Sequence, residues 1–186
     1  MSDFPKPKER NLFFSKQVTQ DSIGEITKSL IEIAEDDTKL KKVYSLSNLS
    51  YIPSPVKIYI DSYGGYAYQC LGLLNIMEKL ETPIHTIVTG TAMSCGFMIA
   101  ISGHERYCYS NSTYMYHQIS GFSYGPIEGM KEKMVESNRL QKLFEKIVVD
   151  KTLITRDQLK EVRERKKDWF FTSKQALDFD IVDTIL

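Results

Sequence analysis

The spacing of apolar and polar positions changes several times along the chain, and each change marks an element. Asn11-Leu12-Phe13-Phe14 reads as a short strand after a polar, proline-bearing start. From Asp21 or Ser22, either of which can cap a helix, Ile23, Ile26, Leu30, Ile31 and Ile33 recur at helical spacing. Residues 36–55 lose that spacing and predict a long polar, irregular stretch, which in a compact domain is usually functional or mobile. Val56-Lys57-Ile58-Tyr59-Ile60 alternates as a strand, Asp61-Ser62-Tyr63-Gly64-Gly65 turns the chain, and Leu71, Leu73, Leu74 and Met77 predict the next helix. Residues 84–89 are β-branched and alternate, while Phe97, Met98, Ile99 and Ile101 suit a buried helix starting at Ser94. A strand, helix, strand, helix order predicts an α/β fold with a parallel sheet and right-handed crossovers.

Two further strands are predicted at 106–109 and 113–117, separated by the turn-forming Ser110-Asn111-Ser112. A glycine-spaced segment, Gly121-Phe122-Ser123-Tyr124-Gly125, leads to Pro126, a residue suited to the first turn of a helix. That helix can run to about residue 150, with Leu140, Leu143, Phe144 and Ile147 on one face and charges elsewhere. A smaller helix from Thr155, a strand at 169–171, a Ser173-capped helix and a closing strand at 181–182 complete the pattern. No repeat, low-complexity tract or second domain interrupts it. The expected division is a short flexible segment, 1–10, and a single domain, 11–186.

Composition narrows the function classes. At 186 residues with 42% apolar and 26% charged residues, the chain can bury a sizeable core without metal or disulfide staples. Lys plus Arg and Asp plus Glu are both 24, so no basic field exists to hold a phosphate backbone, and nucleic acid is not an expected partner. No apolar run approaches the ~20 residues that span a bilayer, so no membrane partner is expected and the chain reads as cytoplasmic. The three cysteines, Cys70, Cys95 and Cys108, lie in apolar-flavoured segments without close pairing, which reads as reduced buried thiols and argues against a zinc site.

In open α/β sheets, sites gather at the carboxyl ends of parallel strands, and both Gly64-Gly65 and Ser94-Cys95 fall there. Ser94 is either a helix N-cap or a nucleophile. Gly64-Gly65 is either a tight turn or a means of exposing a backbone N–H, which would converge with the N–H after Ser94 as an oxyanion hole. A serine nucleophile needs a base. Of three histidines, His85 sits inside a strand and His104 in a polar turn, whereas His117 ends a strand and is followed by loop residues, a better place for a base. Spacing does not choose the orienting carboxylate among 24 acids.

The segment Gly90-Thr91-Ala92-Met93-Ser94-Cys95-Gly96-Phe97-Met98 resembles the nucleophile segment of the ClpP family, the proteolytic subunits of caseinolytic proteases. Tyr114-Met115-Tyr116-His117-Gln118 is similar to that family's histidine strand, Ile60 to Gly65 to its oxyanion glycines, and the segment from Asp168 to Leu186 to its C-terminal part. The likeness covers about residues 11–186 with the motifs in matching order. It implies a ClpP/crotonase-like spiral of β-α-β units with a protruding handle helix at about 120–150. It also implies a catalytic triad of Ser94, His117 and Asp168, with backbone amides of Gly65 and Cys95 as the oxyanion hole and no metal or cofactor. The implied activity is that of a serine endopeptidase cutting unfolded polypeptides inside a chamber of two stacked rings, a homo-oligomeric tetradecamer supplied by an ATP-dependent AAA+ unfoldase.

Several positions depart from the family pattern. Ile119 stands where proline is usual, Tyr63 replaces the proline before the glycines, and Lys167 replaces the arginine before the aspartate. Lys57 and Lys79 occupy positions often aromatic for unfoldase docking, leaving Tyr59 alone and that partner the least directly implied. Two other readings compete: an acyl-CoA hydratase or isomerase of the crotonase type, which has no need of this ordered Ser, His and Asp set, and a non-catalytic ring subunit, in which triad residues tend to be lost.

Overall fold

A computed structural model describes residues 10–121 and 124–186. The expected flexible segment therefore falls outside the described residues except for Arg10, as do Phe122 and Ser123. Strands β1 (Asn11–Phe14), β2 (Val56–Ser62), β3 (Ile84–Met93) and β4 (Glu105–Cys108) lie side by side in that order, all parallel. The helices that cross between them are α1 (Gln20–Leu46), α2 (Ala67–Lys79) and the short α3 (Cys95–Ala100). Ile58, Ile60, Ile84 and Val88 from β2 and β3 share one core with Leu30 and Ile33 of α1, Leu73 and Met77 of α2, and Phe97 and Ile99 of α3. This is the mixed α/β arrangement with a parallel sheet that the strand and helix periodicities predict.

Strand β3 is longer than its alternating run because Thr91–Met93 run past β4 and pair in parallel with β5 (Thr113–Tyr116), while Ala92 stays paired with Ser62 of β2. A register shift in β2 between Ile60 and Ser62 accompanies the change of partner. Next come the long α4 (Ile127–Lys151), α5 (Arg156–Arg165), β6 (Trp169–Thr172), α6 (Ser173–Asp178) and β7 (Thr184–Ile185). β6 pairs antiparallel with β5, and β7 pairs parallel with β4.

Four boundaries differ from the sequence expectation, each for a physical reason. α1 continues through the supposed irregular stretch to Leu46, leaving only 47–55 as connection. Its buried positions Ile26, Leu30, Ile33, Asp37 and Leu40 keep a helical rhythm in which Asp37 is a charged residue at a core position. The N-cap of α1 is Thr19, in a capping box with Ser22, and the cap of α6 is Thr172 with Gln175. Ser173 instead donates to the Ser110 carbonyl at 2.6 Å. Ile181 and Val182 are core residues whose amides close the end of α6 on the Ala176 carbonyl, so the last strand starts at Thr184.

Asp37 is held by the Arg10 guanidinium, by the Tyr51 hydroxyl at 2.6 Å and by the Thr82 hydroxyl at 2.7 Å. Burial pushes its carboxyl pKa up, but these donors outweigh that and hold it below the usual value. A depressed folded-state pKa stabilises above the unfolded value, and the contribution is lost as pH falls through the folded one. Asp37→Asn, which leaves Arg10 buried beside a neutral group, is expected to cost about 3 to 5 kcal/mol at neutral pH. Urea midpoints should show that gap shrinking as the medium is acidified below the carboxylate range.

Candidate active site

The carboxyl ends of β2, β3 and β5 point to one side of the sheet, and the chain places Gly64-Gly65, Ser94 and His117 just beyond them. The register carries the rest. Met93 pairs with Met115 and the Ser94 amide donates to the Met115 carbonyl at 2.9 Å, which sets Ser94 beside the strand that ends before His117. In the antiparallel pair Tyr116 faces Trp169, so the next step outward sets His117 opposite Asp168. Asp168 is delivered there by Lys166, whose left-handed conformation (φ 51°, ψ 44°) ends α5 and turns the chain into β6.

Ser94 has φ 53° and ψ −119°, a conformation that side-chain-bearing residues rarely adopt, and its side chain makes no capping bond. The capping alternative is thereby set aside. Backbone strain of this kind costs on the order of 1 to 3 kcal/mol and persists where surroundings over-determine it. Here they do. A Cβ at Gly96 would lie 2.6 Å from the Ser62 carbonyl oxygen, and one at Gly64 (φ 95°) would lie 2.7 Å from the Met93 oxygen and 2.8 Å from the Cys95 nitrogen. Both glycines let backbone close directly on the serine turn, which is a stricter demand than a tight turn alone.

His117 Nε2 lies 2.8 Å from Ser94 Oγ, and its Nδ1 lies 3.7 Å from Asp168 Oδ1, an ion-pair contact longer than a hydrogen bond. The ring is about a quarter exposed and Asp168 about half exposed. Neither other histidine joins them: His104 Nδ1 accepts from the Ile84 amide, and His85 neighbours Glu105. The Gly65 and Cys95 amides, near one another across the Gly64 turn, take no backbone acceptor among the described residues. Cys95 donates its thiol to the Gly65 carbonyl at 3.3 Å and has no hydrogen bond to a histidine among the described residues, while burial pushes the neighbouring Cys70 thiol well up. All three cysteines are free and buried.

A cleft of about 330 Å³ opens in front of this group, with Met98, Met115, Ile119 and Phe144 among its apolar walls and Gln141 as a buried polar member. The sequence reading gave none of these residues a place in a cleft, although Gln141 carried a signal: it is the one polar residue among the buried positions of α4, with Leu140, Phe144 and Val148. Behind the site, Phe97 packs on Tyr114, Tyr116 and Phe171, and Trp169 on Phe171, tying α3, β5 and β6 into one aromatic layer.

Comparison with known proteins follows the same lines. The family model described as Clp protease matches residues 7–186. A relative from Synechococcus sp., named ATP-dependent Clp protease proteolytic subunit 2, is 25% identical over 181 residues, covering 96% of this chain and 84% of its own. One from Prochlorococcus marinus subsp. pastoris, named proteolytic subunit 1 of the same protease, is 24% identical over 182 residues with the same coverage of 96% and 84%. A third, proteolytic subunit 1 from Salinibacter ruber, is 30% identical over 149 residues, 76% of this chain and 63% of its own.

Proposed function

The chain belongs to the Clp protease family, and on that premise we propose that it is a serine endopeptidase in which Ser94 is the nucleophile, His117 the general base and then acid, and Asp168 the group that orients the imidazole. The observation that carries this reading is the 2.8 Å contact between His117 Nε2 and Ser94 Oγ with Asp168 on the other ring nitrogen. A neutral hydroxyl is a poor nucleophile until a base takes its proton. As Ser94 Oγ attacks the scissile carbonyl, its proton passes to Nε2, and the new oxyanion accepts from the Gly65 and Cys95 amides. His117 then protonates the departing amine, and water repeats the sequence to release the acyl group. An acyl-CoA hydratase has no use for this contact, and a non-catalytic subunit would have no reason to retain it. Treatment with a fluorophosphonate followed by peptide mapping is expected to label Ser94 alone. Labelling at another residue, or none, would overturn the assignment.

On the same reading the substrates are unfolded polypeptides, cut in the cytoplasm inside two stacked rings that total fourteen subunits and delivered by an ATP-dependent unfoldase. No helix among the described residues is long and apolar enough to cross a membrane. The family resemblance would have the stripe of Leu140, Leu143, Phe144 and Ile147 join the rings, but Leu140 and Phe144 are buried against their own chain and Ile147 packs partly on the core, so the contact is proposed for the other half of α4. The first half of α4 is the free surface, with Ile127 and Met134 each 66% exposed and Val135 70%. Large side chains left in water forgo about 1.5 to 3 kcal/mol each, and a two-fold contact between such helices recovers it on both partners. Native mass spectrometry should therefore find Met134→Asp with Val135→Asp as single rings. A wild-type chain that stays monomeric at micromolar concentration would sink the chamber.

A further inference from the structure

We propose that Gln141 is a positioning residue for the general base, its buried amide gripping the chain on both sides of His117 and tying it to the helix that leads into Asp168. The inference rests on the peptidase reading above. Gln141 Oε1 accepts from the Ile119 amide at 2.7 Å, and Nε2 donates to the Tyr116 hydroxyl at 3.1 Å and to Glu145 Oε1 at 3.0 Å. The orientation of the amide is forced, because a backbone N–H can only donate and a carboxylate can only accept. Burial holds the Tyr116 hydroxyl up at about 12, so it stays neutral and remains an acceptor for Nε2.

Tyr116 precedes His117 directly, and Ile119 follows it by two residues. Residues 116–119 therefore cannot slide or roll against α4 without breaking a bond to the same side chain. Beyond the amide, Glu145 accepts from Arg163 Nη1 at 2.8 Å. Arg163 lies in the last turn of α5, shortly before Lys166 turns the chain toward Asp168. One chain of hydrogen bonds thus links the segment carrying the base to the helix preceding the orienting acid. The half-buried His117 ring has one side-chain hydrogen bond among the described residues, to Ser94, and a longer ion-pair contact with Asp168, so its backbone frame must be set by its neighbours. A buried polar network satisfied at every member is rigid, and a partly satisfied one is not.

The test compares wild type, Gln141→Leu and Gln141→Glu in kcat and KM on a short acylated peptide and in the rate of Ser94 labelling by a fluorophosphonate, each per folded molecule by near-UV circular dichroism. Small displacements of a catalytic group can cost on the order of 100-fold, so Gln141→Leu is expected to lower kcat and the labelling rate together by about 10- to 100-fold, with KM within about threefold. A protonated carboxyl presents a carbonyl acceptor and an O–H donor much as the amide does, and burial beside Glu145 favours that form in mildly acidic solution. The activity of Gln141→Glu relative to wild type should therefore be near one there and fall as pH rises, while the ratio for Gln141→Leu stays flat. Wild-type kcat and labelling in Gln141→Leu, or a pH-independent ratio for Gln141→Glu, would overturn the inference, and the second variant decides if the first does not fold. A wild-type chain that is not labelled at Ser94 would instead overturn the peptidase reading.

Discussion

Ser94→Ala is expected to reduce hydrolysis of short acylated peptides by on the order of 10⁴- to 10⁶-fold, the range set by removing the nucleophile of a serine triad. The fold should survive, since one partly exposed hydroxyl is lost and the side chain makes no capping bond. The backbone adds a second expected outcome. At φ 53° the serine sits where glycine is favoured, so Ser94→Gly should be as inactive as Ser94→Ala yet more stable than wild type by about 1 kcal/mol or more. Stability that rises as activity vanishes is the signature of a residue kept for chemistry. Cys95→Ala serves as the control, because its part in the mechanism is an amide that alanine also has. Should Ser94→Ala keep wild-type turnover while Cys95→Ala loses it, the nucleophile assignment fails.

Much of this arrangement was legible in the sequence where local pattern and tertiary environment agree. The alternating run at 56–60 and the β-branched run at 84–89 became β2 and the first part of β3, and Thr155 and Pro126 marked the starts of α5 and α4. The pattern misled where a polar residue occupies a core position. Asp37 reads as the end of a helix because burying a lone carboxylate is costly, and only the distant Arg10, Tyr51 and Thr82 make it affordable. Gln141 is also a polar residue at a buried position, but there the helix was read correctly and only the residue's role went unseen. The fate of the Leu140 and Phe144 stripe was illegible for a different reason: an apolar helix face shows that it will be covered, and not by what. The orienting acid could not be chosen by spacing because it depends on pairing of β5 with β6, more than fifty residues apart along the chain, a register that no local signal carries.

Asp168→Asn is expected to lower kcat by about 10⁴-fold, through the tautomer of His117 and not through stability. To accept the serine proton Nε2 must be bare, so Nδ1 must carry the hydrogen, and only an acceptor opposite Nδ1 favours that form. The carboxylate is such an acceptor. An asparagine at the same place can turn its NH₂ toward Nδ1, which moves the imidazole hydrogen to Nε2 and makes it a donor to Ser94 Oγ in place of a base. The 3.7 Å separation found here is longer than a hydrogen bond, and such contacts commonly tighten when substrate is bound. Because Asp168 is half exposed and precedes β6, the substitution should move the thermal midpoint little. Asp168→Glu keeps an acceptor with a longer reach and is expected to retain more turnover than Asp168→Asn. The decisive comparison is steady-state kcat for the two variants with the folded fraction held equal. If Asp168→Asn stays within about tenfold of wild type, far short of the loss a wrong tautomer causes, the imidazole is oriented by another group and Asp168 is only its neighbour.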